Sequence, residues 1–162
     1  MTARLKSPIL CLLGALAACS LQAPQSFQTI DGSTADRVAA ISKLLSRTAP
    51  LPSSLLDAHF FEQQTGDGRL GPSDFEAFYA LTVAPAHLPA WRAALSPLKP
   101  WNHFSNDDDI KRAAPSPSQP WWLSEDDLSF LEFYSPQSLT GRANGWVGLA
   151  PDGRIFVYAF TL

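Results

Sequence analysis

The chain has 162 residues, 12 Lys plus Arg against 15 Asp plus Glu, and 46% hydrophobic and 11% aromatic side chains, the composition of one ordinary globular domain with a leader. That apolar share excludes intrinsic disorder, a mean hydropathy of −0.03 excludes a polytopic membrane protein, and a formal charge of −3 argues against nucleic acid as a partner. Two cysteines cannot make a disulfide scaffold.

Met1 to Lys6 carry Arg4 and Lys6 and no acid, and Ser7 to Ala18 are apolar or small apart from Ser7. A charged start followed by a short apolar run reads as a secretory signal, too short for the roughly 18 to 20 residues of a membrane-spanning helix. The run closes on Leu16-Ala17-Ala18-Cys19, which resembles the lipobox of bacterial lipoproteins. The resemblance covers the leader only. It implies cleavage after Ala18, with the Cys19 thiol taking a diacylglyceryl group by thioether formation and Cys11 discarded with residues 1–18. Loss of Arg4 and Lys6 takes the formal charge from −3 to −5, so lipid on Cys19, not surface charge, would hold the protein to its membrane. Ser20, rather than Asp, follows the cysteine. The resemblance then implies the outer membrane, facing the periplasm.

Residues 19–33 contain Pro24, Gln22, Gln25, Gln28 and Gly32 with little apolar periodicity and are read as a lipidated tether; residues 34–162 are read as a single domain. From Thr34 the pattern is helical, with Ala35, Val38, Ile41 and Leu45 at three-to-four spacing and Ser33 with Asp36 as a capping box. A second helix is predicted from Ser53 or Ser54, with Leu56, Phe60 and Gln63 on one stripe and Leu55 and His59 beside it. A third is predicted after Pro72, with Ser73 and Glu76 as capping box and Phe75, Phe78, Tyr79 and Thr82 along it. A fourth lies near Pro89, with Leu88, Trp91 and Leu95 inward.

Residues 99–120 form a proline-rich irregular loop. Ser124-Glu125-Asp126-Asp127 then opens a short helix or, nearly as well, a strand carrying Leu128, Phe130, Leu131, Phe133 and Tyr134. Trp146 to Leu149, Pro151-Asp152-Gly153 and Arg154 to Thr161 spell a β-hairpin whose last strand has apolar residues on both faces and needs cover on both. The expected class is α+β, with four to five short helices packed on a small antiparallel sheet that includes the C-terminal hairpin.

No cofactor or metal is expected. The segment from Gln63 to Asp74 looks like a worn EF-hand loop, with Asp67 and Asp74 as its carboxylates, but Gln63 and Thr65 stand at ligand positions and Asp74 replaces the bidentate Glu. Asp107-Asp108-Asp109 after Ser105 reads as a solvated helix start, and His59, His87 and His103 form no zinc motif. There is no nucleophile elbow or glycine-rich phosphate cradle. Trp101, Trp121 and Trp122 fall in or beside the proline-rich loop. They either close the core or, exposed together, make a stacking surface for sugar rings, peptidoglycan or an envelope protein. The leading functional expectation is a non-catalytic binding or accessory lipoprotein. Two alternatives are an envelope hydrolase using Glu62 or Asp67 with His59, and a degenerate calcium-binding domain.

Overall fold

The computed structural model describes residues 26–65, 73–98 and 113–161. Its centre is a pair of long antiparallel strands, β2 (Asp57–Thr65) and β3 (Asp74–Thr82), in the segments where the spacing predicts the second and third helices. The reason is visible in two doublets. Phe60 and Phe61 are both buried, as are Phe78 and Tyr79, and successive strand residues point to opposite sides of a sheet. A sheet covered on both faces buries adjacent residues, which erases the alternation that marks a half-exposed strand. The three-to-four spacing of Leu56, Phe60 and Gln63 is a by-product of this crowding, and Ser73 and Glu76 do not cap a helix.

With β1 (Ser26–Thr29), β4 (Glu132–Tyr134), β5 (Asn144–Leu149) and β6 (Arg154–Phe160), these strands form one antiparallel sheet of six in the order β1-β2-β3-β6-β5-β4. The described residues contain three helices: α1 (Thr34–Leu45), α2 (Leu88–Ala94) and the one-turn α3 (Gln137–Thr140). The domain is therefore dominated by its sheet, which corrects the expectation of four to five helices on a small one. β1 is a second correction. Ser26–Thr29, assigned by sequence to the tether, pair with Gln64–Phe61 of β2 and so belong to the sheet.

The elements with one wet side lie where the sequence places them. Ser33 caps α1, its side chain accepting from the Asp36 N–H while the Asp36 carboxylate accepts from the Ser33 N–H, and Ile41 and Leu45 of this helix are buried. In α2, which has Pro89 in its first turn, Leu88 and Trp91 are buried. Trp91 donates its indole N–H to Ser53 Oγ at 2.9 Å. Ser124 and Asp127 form a capping box on a turn of 3₁₀ helix, Glu125–Phe130, with β4 directly after it. The C-terminal hairpin is present, β5 and β6 joined through Pro151-Asp152-Gly153. Gly153 sits at φ +94°, and a Cβ there would lie 2.3 Å from the Val83 carbonyl oxygen, so only glycine fits.

Alternation along the inner strands divides the core in two. Ala77, Tyr79 and Leu81 of β3, Val147 and Leu149 of β5, and Ile155 and Val157 of β6 face the helices and pack with Ile41, Leu45, Leu88, Trp91 and Leu139. Phe61, Phe78, Trp146, Phe156, Tyr158 and Phe160 face the other way. Their cover is irregular chain and the 3₁₀ turn: Ala113, Trp121, Trp122, Leu123, Leu128 and Leu131. The end of the proline-rich loop and the segment after it thus close the second face.

Candidate functional site

The two described tryptophans of the loop are perpendicular, at 83° with ring centroids 6.1 Å apart, and do not form a flat platform together. Trp122 turns inward, edge-on to Phe78 at 5.1 Å and to Phe156 at 5.8 Å, and donates its indole N–H to the Ala113 carbonyl at 2.9 Å. Trp121, also packed partly against that core, stacks on the His59 imidazole, 5.4 Å between centroids and 12° between planes. Cys19, Asp67, Trp101, His103 and Asp107-Asp108-Asp109 lie outside the described residues.

His59 and Glu62, expected to share a helix face, sit three residues apart on β2 and therefore on opposite sides of the sheet. Glu62 is on the helix side, where it accepts from Arg142 at 2.8 Å with both side chains largely buried. Beside this pair, in a cavity of about 260 Å³, burial pushes the Tyr79 phenol up to about 12, with the Arg142 charge opposing the shift and the Glu62 charge adding to it. The His59–Glu62 constellation is thus not formed. The segment read as a worn calcium loop is flanked by two strands in place of two helices, and its residues 66–72 lie outside the described residues. Gln63, at its first ligand position, donates to Glu76 and accepts from the Ser116 N–H. Asp74 opens β3, and its Oδ1 is buried with no hydrogen-bond partner among the described residues. Among the described residues no three His, Cys, Asp or Glu side chains are grouped to hold a metal ion.

The structure does assemble a polar groove around His59. β1 stops at Thr29, opposite Phe61, while β2 starts four residues earlier at Asp57, so the outer rim of β2 runs on without a strand beside it among the described residues. Side chains take the place of a strand. Arg37 of α1 donates Nε–H to the Ala58 carbonyl at 3.0 Å, and the Ala58 N–H donates to Asp57 Oδ1 at 2.8 Å. The same guanidinium reaches the Gly32 carbonyl, Thr34 Oγ1 and, at 2.6 Å, Asp57 Oδ1. The other oxygen of Asp57 lies 3.4 Å from His59 Nε2, a pair that is ionic only when the imidazole is protonated.

Partial burial works to raise the Asp57 pKa, but the hydrogen bonds from Arg37 and the Ala58 N–H, with the charges of His59 and Arg37, hold it below the ordinary 3.8. Asp57 is thus a fixed anion between a fixed cation and an imidazole. Next to it opens a cavity of about 240 Å³ walled by Thr29, Asp31, Arg37, His59, Gln119 and Trp121. Its aromatic wall is a stacked pair of rings, and its rim carries an amide, a hydroxyl and a carboxylate. Those are groups for holding a flat polar ligand. The one polar contact of His59 among the described residues is Asp57, so no serine, threonine or cysteine there is placed to be activated by it.

Arg37, Asp57 and Gln119 were not singled out by sequence. The signal that could have found Asp57 is its spacing from His59, which puts both on one side once the segment is read as a strand. Arg37 is twenty residues from its partner, and nothing local announces it. Comparison with protein families, curated proteins and solved structures returns no match to the chain.

Proposed function

We propose that the chain is a lipid-anchored bacterial envelope protein, acylated on Cys19, whose domain binds a partner and performs no chemistry on it. The observation that carries the anchoring is Leu16-Ala17-Ala18-Cys19 at the close of a charged and then apolar leader. Several acyl chains on one residue, at about 0.8 kcal/mol per buried methylene, make such attachment effectively permanent. None of the described helices is long and apolar enough to cross a membrane.

Binding is favoured over catalysis by the groove of Trp121 and His59. It supplies a stacked aromatic wall and polar rim groups, while its imidazole has, among the described residues, a carboxylate for company and no nucleophile. Peptidoglycan, whose sugar rings present flat apolar faces edged with hydroxyls, matches that wall; an envelope protein is the other candidate partner. With Ser20 after the cysteine, the outer membrane facing the periplasm is the proposed location.

The test is intact-mass analysis of protein purified from bacterial membranes beside a Cys19→Ser form. The expected mass is that of residues 19–162 plus acyl groups, lost on substitution; an unacylated wild-type mass defeats the anchoring. For the partner, co-sedimentation with purified peptidoglycan is expected to fall on Trp121→Ala in protein whose near-ultraviolet circular dichroism shows the fold retained. Sedimentation indifferent to that substitution removes the groove from the binding reading.

A further inference from the structure

The anchor and the sheet are much closer together than the sequence suggests. Because Ser26 already belongs to the sheet, only seven Cα–Cα steps separate the sheet from Cys19, a reach of at most about 23 to 25 Å. The domain is larger than that across its diagonal. Ser26 lies level with Gln64 on β2, and Arg154 of β6 lies level with Thr82 and hence with Asp57 at the other end of β2. Seven residues along a strand are about 23 Å, and three strand spacings from β1 to β6 about 14 Å, which places the start of β6 about 27 Å from Ser26. The turn at Pro151-Asp152-Gly153 is farther still.

The two corners also differ in chemistry. All four residues of β1 are exposed and none is charged, and Phe27 among them has 48% of its surface in water, its ring resting partly on Phe61 at 5.6 Å. The opposite corner is charged. Arg154 bridges Asp152 and Asp127 at 2.7 Å each, and Arg92 meets Glu132 at 2.8 Å.

We infer that the β1 corner is a membrane-facing surface. It rests against the headgroup layer that holds the anchor, with Phe27 as its contact, while the β5–β6 turn points away from the bilayer. The inference builds on acylation of Cys19 and adds an orientation to it. The occupant is the lipid surface because the chain leading to the anchor ends at this corner, and because β1 brings no charge of its own while the basic Lys43 and Arg47 line a cavity with its Gln28 and Thr29, a combination that a domain of formal charge −5 can bring to anionic headgroups without repulsion.

The test uses the acylated protein reconstituted in phosphatidylethanolamine–phosphatidylglycerol vesicles. With Cys19 acylated and Cys11 removed with the leader, an introduced cysteine is the one free thiol. Gln28→Cys and Pro151→Cys, both at exposed positions, each carry a fluorophore, and quenching by headgroup-nitroxide lipid is compared after near-ultraviolet circular dichroism confirms the fold. The expected result is several-fold stronger quenching at position 28 than at 151. Phe27→Ser is expected to weaken it, and about twelve Gly/Ser residues inserted between Ala23 and Pro24, adding about 40 Å of reach, to shrink the difference between the sites.

Equal quenching of both sites with the native tether, in protein that floats with the vesicles, overturns the orientation and leaves the anchoring intact. Quenching at position 28 that falls as protein density on the vesicle rises overturns it in favour of a second copy paired along β1. Protein that does not float at all defeats the anchoring, and the orientation with it.

Discussion

The two faces of the sheet are covered by different means, and each cover has its own side-chain vocabulary. On the helix side, residues spaced by helical turns, Ile41 and Leu45 on α1 and Leu88 and Trp91 on α2, meet a mixed aliphatic and aromatic surface, and the helix backbones satisfy themselves. On the other side there is no long helix among the described residues. The cover consists of a 3₁₀ turn and irregular chain, and the contacts are made by large rings: Trp122 touches Phe78, Trp146 and Phe156. A chain without regular structure offers few inward side chains per unit length, so each has to bury a large area. It also has unpaired main-chain groups, and the bond from the Trp122 indole to the Ala113 carbonyl satisfies one of them.

If this contrast is right, truncation should be most damaging where one ring carries the contact. Trp146→Ala, at a position with no exposed surface, is expected to cost about 3–5 kcal/mol in urea unfolding, and Leu45→Ala on the helix side about 2–5 kcal/mol. Their effects on the surroundings should differ. Leu45→Ala is expected to speed hydrogen exchange mainly in α1, whereas Trp146→Ala should loosen residues 113–131 together; equal spread in both variants would break the comparison. Trp146→Phe should cost much less than Trp146→Ala, because the indole N–H of Trp146 is buried without an acceptor among the described residues and its removal leaves nothing unpaired.

A finer distinction is available from the two bonded indoles. Trp122→Phe leaves the Ala113 carbonyl without its donor and is expected to cost about 1–3 kcal/mol. Trp91→Phe strands only a serine hydroxyl, Ser53, that can turn to water, and should cost less. Reversal of that order in chemical denaturation would mean that the irregular cover depends on ring packing alone.

The smallest effects concern protons. The neutral Tyr79 phenol is favoured by the fold, so its contribution is fully present below pH 10 and lost as pH rises towards about 12. Tyr79→Phe is expected to flatten the alkaline fall in stability across that window. Asp57 works in the opposite sense. Its pKa is lowered in the fold, so the contribution is present above the ordinary 3.8 and disappears as pH falls through the lower folded value. Asp57→Asn should remove that acid dependence, by a modest amount because the group is about one-third exposed.

The same contrast explains what the sequence discloses. α1, α2 and the C-terminal hairpin are legible because each has a polar side or a turn signal: the Ser33–Asp36 box, Pro89, and Asp152-Gly153. β2 and β3 are misread because cover on both faces puts Phe60 beside Phe61 and Phe78 beside Tyr79, and a period of two disappears. β1 is hidden for another reason, being four exposed residues held by their edge pairing with β2. At the groove, Trp121 and His59 are recognisable as residue types worth watching. Their stacking is not recognisable, because it joins the start of β2 to chain some sixty residues later through a sheet that the local spacing does not announce.

The reach of Arg37 across the rim of β2 bears on how such a protein survives crowding. Whatever brings copies of the chain together, an uncovered strand rim is a template on which neighbours assemble into growing aggregates. At Ala58 both main-chain groups are already taken, the carbonyl by Arg37 and the N–H by Asp57. The guanidinium and its carboxylate therefore also act as a stopper, and Arg37→Ala would be expected to show its defect first as self-association and only later as unfolding.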